Sequence, residues 1–120
     1  MEVPKIFESE YRFCLLLWEH EPINSTQLAA LCKEKLGWSK ATTYTVIRRL
    51  AERGVLKNEN ATVTSLVTKQ EVQRSRLTEM VDETFEGSMP AFIAALSHSK
   101  RLSKSEVDQL REMIDNYKEE

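Results

Sequence analysis

Trp38-Ser39-Lys40-Ala41-Thr42-Thr43-Tyr44-Thr45-Val46-Ile47-Arg48-Arg49-Leu50-Ala51-Glu52-Arg53-Gly54-Val55-Leu56 decides the fold of this chain. Ser39 offers a side-chain acceptor to the first free N–H groups of a helix, the usual start signal. Thr43, Val46, Ile47 and Leu50 then recur at helical spacing and make one apolar stripe. Lys40, Ala41, Tyr44, Thr45 and Arg48 are left on the opposite side. Gly54 can take the left-handed conformation that ends a helix, and Val55-Leu56 opens a strand. Just upstream, Ser25 is expected to cap a helix from about Thr26 to Leu36 with Leu28, Leu31 and Cys32 inward, closed by Gly37. The order is helix, turn, helix, hairpin, which is the order of a winged helix-turn-helix.

Working outward, helix 1 is expected over Glu8 to His20 with Tyr11, Cys14, Leu15 and Trp18 facing the core, stopped by Pro22. Trp38 should plug the turn between the next two helices. The wing is expected as a strand Val55 to Lys57, a turn at Asn58-Glu59-Asn60, and a Thr- and Val-rich strand Ala61 to Val67. Thr68 should cap a helix over Lys69 to Phe85, and Ser88 another with Pro90 in its first turn. Ser103 with Glu106 makes a capping box for a last helix. The fold class is mainly α: a winged helix-turn-helix domain over 1–67, then a three-helix dimerisation region over 68–120.

That second region has 53 residues, and each of its helices carries a full apolar stripe. A unit of this size buries little surface alone. The stripes are therefore expected to be covered by a second copy. The expected dimer interface is Leu77, Met80, Val81, Phe85, Phe92, Ile93, Leu96, Leu110, Ile114 and Tyr117.

The net charge of -2 conceals an uneven distribution. Residues 33–57 carry seven basic side chains, Lys33, Lys35, Lys40, Arg48, Arg49, Arg53 and Lys57, against Glu34 and Glu52, a balance of +5. The flanking segments are acidic. Positive charge gathered on the helix-turn-helix suits a directed contact with nucleic acid. The expected DNA-binding residues are Lys40, Ala41, Thr43, Tyr44 and Thr45 near bases. Arg48 and Arg49 are assigned to phosphates, with Ser25 and Thr26 at the start of helix 2.

The two cysteines, Cys14 and Cys32, fall on apolar helical faces and read as buried free thiols. His20 and His98 are isolated. There is no glycine-rich phosphate loop and no nucleophile motif, so the chain reads as a non-enzyme without cofactor or metal. No apolar run is long enough to span a membrane. The first residues lack a signal-peptide pattern, so a cytoplasmic protein is expected. A different class with the same fold is a winged-helix protein–protein interaction module in a regulatory complex. The acidic flanks suit it, and the Lys40, Tyr44, Arg48 row argues against it.

Further residues give a family resemblance. Glu10-Tyr11 and Leu17-Trp18 in helix 1, Trp38-Ser39, Thr42, Thr45, Arg49-Leu50 and Gly54 resemble the penicillinase repressor family. Phe85-Glu86-Gly87-Ser88, Leu102-Ser103 and the Glu106 to Leu110 helix extend the likeness through the second region. That family includes the β-lactamase and methicillin-resistance repressors and copper-responsive relatives. The resemblance implies a homodimeric repressor on a palindromic operator. It implies release by a protease or receptor, unidentified here, through cleavage in the dimerisation helices. Three departures qualify it. No cysteine follows Cys32, so the copper-binding Cys-x-Cys cluster is absent. The family's Asn-Phe cleavage pair is replaced by Ala95-Leu96, the candidate cleavage position. The wing, Asn58 to Thr64, holds neither Arg nor Tyr.

Overall fold

The computed structural model describes residues 2–99 and 102–118. The order is α1 (Glu8–His20), β1 (Ile23–Asn24), α2 (Ser25–Leu36), α3 (Lys40–Glu52), β2 (Leu56–Glu59), β3 (Thr62–Ser65), α4 (Lys69–Phe85), α5 (Met89–Ser99) and α6 (Lys104–Asp115). The three strands form one antiparallel sheet in the order β1-β3-β2. The fold is a winged helix, with β2 and β3 as the wing.

Local chemistry accounts for most boundaries. Ser39 caps α3 by accepting from the Thr42 N–H at 3.1 Å. Gly37 closes α2 in the left-handed region at φ +71°. Thr68 and Glu71 cap α4 reciprocally, at 3.1 and 3.0 Å. Ser88 accepts from the Ala91 N–H at the start of α5. Ser103 and Glu106 form the expected capping box of α6.

Three details differ from the sequence reading. Asn24, not Ser25, caps α2: its side chain accepts from the Thr26 N–H at 2.8 Å. Ser25 is drawn into the helix because β1 pairs Ile23 with Val63 and Asn24 with Thr62. The wing turn lies later than expected, at Asn60-Ala61, because Glu59 still pairs with Thr62. On α1 the deepest positions are Phe13 and Leu17, both fully buried. Tyr11, Leu15 and Trp18 are half-buried.

The core of the first unit gathers Phe13, Cys14 and Leu17 from α1, Leu28 and Cys32 from α2, and Ile47 and Leu50 from α3. Val55, Leu56 and Val63 close it from the wing, and Val72 from α4. Trp38 stacks on Phe13, with ring centroids 6.0 Å apart and planes 5° from parallel, and so plugs the turn before α3. Cys14 and Cys32 are free and buried. Burial pushes the Cys14 thiol up to about 12, with the Glu10 charge adding to the rise. Burial likewise raises the Cys32 thiol, opposed by the Thr43 hydroxyl. Thiols held protonated in this way are poor nucleophiles and poor metal ligands.

The chain divides into two compact units, Met1–Arg76 and Leu77–Glu120, a division that falls inside α4. In the second unit Val81 is buried, and Phe85 meets Phe92 edge-on with centroids 5.7 Å apart. No residue of α5 or α6 is buried. Among the described residues no helix is long and apolar enough to cross a membrane.

Candidate nucleic-acid interface

The candidate surface is the outer face of α3 together with the start of α2. The stripe Thr43, Ile47 and Leu50 is turned into the core, so the helix must present the other side. Lys40, Ala41, Arg48 and Arg49 are exposed, and Tyr44 and Thr45 are half-exposed. Lys40 Nζ lies over the Tyr44 ring, 5.9 Å from its centroid. The Tyr44 hydroxyl reaches back to α2, 3.5 Å from Thr26 Oγ1. Hydrogen bonds from the Thr26 and Ser25 hydroxyls, with the nearby Lys40 charge, hold the phenol below its usual range against a small opposing effect of burial. Tyr44 therefore joins the start of α2 to the first half of α3, and its ring and Lys40 form one continuous patch.

Thr43 does not belong to this patch. It is fully buried, and its hydroxyl has only the Cys32 thiol beside it, with no hydrogen bond of normal geometry among the described residues. It cannot reach a base while α3 keeps its packing, so it leaves the group of base-contacting candidates. Ser25 is also mostly buried. Its N–H donates to the Ala61 carbonyl at 2.7 Å, and the Thr26 N–H is committed to Asn24. Those two backbone donors are occupied, so the phosphate-binding capacity at the start of α2 rests on the Thr26 hydroxyl and later N–H groups.

The basic cluster read from sequence is likewise narrower in space. Arg53 points away from the α3 face and pairs with the buried Glu10 carboxylate, its Nη1 3.0 Å from Oε1. Arg53 also donates to the Lys5 carbonyl at 2.7 Å. Lys35 lies 3.9 Å from Glu34 and Lys57 3.9 Å from Glu59. Arg49 is exposed but close enough to Glu10 to help lower its pKa. Lys40 and Arg48 are the charges that lie with Tyr44 on the outer face. Glu52 follows one turn after Arg48, so the face is cationic at its leading end and acidic at its trailing end.

The wing tip, Lys57 to Thr62, is exposed and carries Lys57 and Glu59 rather than arginine or tyrosine. Sequence reading missed the role of Asn24. Asn24-Ser25-Thr26 offers three capping residues in succession, and only the pairing of β1 selects the first.

In the second unit, Ile93, Leu110, Met113, Ile114 and Tyr117 are exposed, Ile114 to 67% and Tyr117 to 74%. Leu77 and Met89 are also exposed and line a groove of about 250 Å³ with Thr78, Val81, Asp82 and Gly87. Met80, Phe85, Phe92 and Leu96 are half-buried. Val81 is already covered within its own chain, at 3% exposure, so it has little surface left to offer a partner. Ala95 and Leu96 lie within α5. Among the described residues no group of His, Cys, Asp and Glu side chains is placed to hold a metal ion.

Comparison with known proteins agrees with this architecture. The penicillinase repressor family matches residues 6–116. The chain is 21% identical to a penicillinase repressor of Bacillus licheniformis, over 98% of this chain and 94% of that protein. It is 25% identical to an uncharacterised 16.5 kDa protein in the ptsI 3′ region of Latilactobacillus sakei, over 92% of this chain and 78% of that protein. With a winged helix followed by a helical unit, and a family match running through both, the chain belongs to the penicillinase repressor family of transcriptional repressors.

Proposed function

We propose that this repressor binds a palindromic operator as a homodimer and is released when its dimerisation helices are disrupted or cut. The observation that carries the DNA-binding part is the patch of Lys40, Ala41, Tyr44, Thr45 and Arg48 on the outer face of α3, tied to α2 through the Tyr44 hydroxyl. A helix presented in this way fits the major groove, led by its N-terminal half. Ala41 and the Thr45 methyl suit contact with thymine methyl groups, and Lys40 or Tyr44 can reach base edges. Arg48, Arg49 and Thr26 serve phosphates. The acidic end near Glu52 then faces away from the groove.

Dimerisation is supported by the second unit. Its α5 and α6 bury no residue in the single chain, yet they carry Ile93, Leu110, Met113, Ile114 and Tyr117 in the open. Apolar surface of this extent on a small unit calls for a partner, and an identical unit supplies a matching one. Ala95-Leu96 is the position at which a cut would divide α5 and weaken such an interface. As the peptide is helical, a protease needs α5 to open locally first.

The test begins with selection of duplexes from a random pool by the full chain. An inverted repeat with half-sites about one helical turn apart, or a small multiple of it, is expected. On that duplex Tyr44→Ala should weaken binding by about 1–3 kcal/mol and relax preference at the contacted position. Equal loss on selected and random duplexes would remove Tyr44 from base reading. Failure to recover any duplex would favour the protein-binding alternative.

A further inference from the structure

The start of α2 is tied down on several sides where it borders the outer face of α3. Asn24 pairs with Thr62 in the sheet. Ser25 donates its N–H to the Ala61 carbonyl at 2.7 Å. Thr26 donates its N–H to Asn24 Oδ1 at 2.8 Å. The Thr26 backbone is therefore held by the sheet and by the helix cap together. Threonine is β-branched and stiff at χ1, so its hydroxyl has few positions to choose from. From that point Thr26 Oγ1 lies 3.5 Å from the Tyr44 hydroxyl, 18 positions along the chain. Lys40 Nζ covers the face of the same ring, 5.9 Å from its centroid. The phenol is held below its ordinary range first by the Thr26 hydroxyl and next by that of Ser25, against a small effect of burial. All of these residues lie within the first compact unit.

The Thr26 contact is long for a hydrogen bond between hydroxyls, so it adds little to stability. What it supplies is direction. A half-exposed tyrosine without such a contact swings among its side-chain rotamers. Base edges are read by hydrogen bonds that weaken steeply when distance or angle is wrong. A side chain already held in its binding position does not have to be ordered when DNA arrives. The Thr26 hydroxyl has one hydrogen and two lone pairs, so it can meet a phosphate and still hold the phenol. The two roles leave different signatures. A phosphate contact helps on every sequence alike, whereas a contact that aims Tyr44 helps only where Tyr44 meets its proper base.

We propose that Thr26 is a positioning residue for base reading: its hydroxyl sets where the Tyr44 phenol stands at the major groove, and so how sharply the chain separates its operator from other DNA. This rests on the reading of Tyr44 as a base contact, given above. The aim of α3 is then partly a property of α2. The helix that crosses the DNA backbone directs the helix that reads the groove.

The probes are the duplex selected by the wild-type chain and a random-sequence duplex of the same length. The quantity read is the ratio of the two affinities. Thr26→Val keeps the shape and removes the hydroxyl. It should lower the ratio about three- to tenfold, the scale of ordering one side chain. Thr26→Ser keeps the hydroxyl and should stay within about twofold of wild type. Tyr44→Phe removes the other partner. In that background Thr26→Val should leave the ratio unchanged, because its effect runs through the phenol. In the free protein Thr26→Val should raise the Tyr44 phenol toward its ordinary 10.0 in a spectrophotometric titration, with Tyr44→Phe identifying the signal. An unchanged ratio in Thr26→Val, whether binding falls equally on both duplexes or not at all, would overturn the inference and leave the repressor reading intact. A fall of the same size in the Tyr44→Phe background, or a phenol that does not move, would do the same. If Tyr44→Ala weakens both duplexes equally, or if no duplex is selected, the reading of Tyr44 fails and this inference falls with it.

Discussion

At the scale of single residues, two buried polar groups on α1 and α3 have opposite consequences. The Thr43 hydroxyl is enclosed with only the Cys32 thiol, a weak partner, beside it and makes no hydrogen bond of normal geometry among the described residues. An unsatisfied buried hydroxyl costs free energy, and valine has nearly the same shape without it. Thr43→Val should therefore stabilise the chain by roughly 1 kcal/mol in urea denaturation. DNA affinity should stay the same; a marked loss would restore Thr43 to the interface. Glu10 is the contrary case. Burial raises its pKa, but the hydrogen bonds from Arg53 and the Phe7 N–H and the charges of Arg53 and Arg49 outweigh burial, leaving it below the ordinary 4.5. A carboxyl whose pKa is depressed by folding stabilises the protein above its unfolded value, and that contribution is lost as pH falls through the folded value. Glu10→Gln should cost roughly 1.5–3 kcal/mol at neutral pH. The gap between the two proteins should close as pH drops below about 4.5. A gap of constant size across that range would show that the carboxylate charge is not what Arg53 needs. The two groups differ in how far local sequence shows them. The sequence places Thr43 both in the apolar stripe with Ile47 and Leu50 and among the base contacts, and only the packing of α3 decides for the core. The partner of Glu10 is 43 positions away, beyond the reach of any local pattern.

At the scale of elements, legibility followed how one-sided each segment is. Helix α3 has a single apolar stripe, so Ile47 and Leu50 inward and Lys40 and Arg48 outward could be read directly. Helix α1 is apolar over most of its circumference from Tyr11 to Trp18, so periodicity alone does not choose a face. The surrounding α2, α3 and wing choose Phe13 and Leu17. The two-residue β1 was unreadable for a similar reason: it exists only because β3 offers a free edge to Ile23 and Asn24. The wing turn shows a local choice in conflict with the global one. Asn60 and Ala61 both have positive φ, +51° and +62°. A two-residue hairpin of this hand favours Asn-Gly, and alanine at the second position pays a steric cost in the left-handed region. The Ala61 carbonyl is nonetheless fixed by the Ser25 N–H. Ala61→Gly should relieve that strain, partly offset by the larger freedom of glycine in the unfolded chain, for a net gain of about 0.5–1 kcal/mol. A loss of stability in thermal or urea unfolding would show that the alanine methyl makes a packing contribution worth more than the strain.

At the scale of the whole molecule, the two units meet the demands of solubility and burial differently. The winged unit closes a core around Phe13, Leu28, Leu50 and Val63, all fully buried. The second unit closes little besides Val81 and the Phe85–Phe92 pair, and leaves Ile93 45% exposed and Ile114 67% exposed. This contrast permits a test that separates folding from association. Phe92 is a poor target, because its ring packs on Phe85 within the same chain. Ile93 and Ile114 have no such duty to be inferred from their exposure. Ile93→Asp or Ile114→Asp should leave the helical circular dichroism of the chain unchanged and convert a dimer to a monomer in sedimentation, since each puts a charge into a face that must be dried on association. Operator affinity should then drop by about 10²–10⁴, the gain that linking two half-site binders can supply. The salt dependence gives a second, independent reading. Counting Lys40, Arg48 and Arg49 as about three cationic contacts with the DNA per subunit, a dimer should show a log–log slope of about -5, and a monomeric variant about half of that. A variant that is monomeric yet keeps both the affinity and the slope of the parent would show that one subunit makes all the contacts. The exposed faces of α5 and α6 would then serve something other than the grip on DNA.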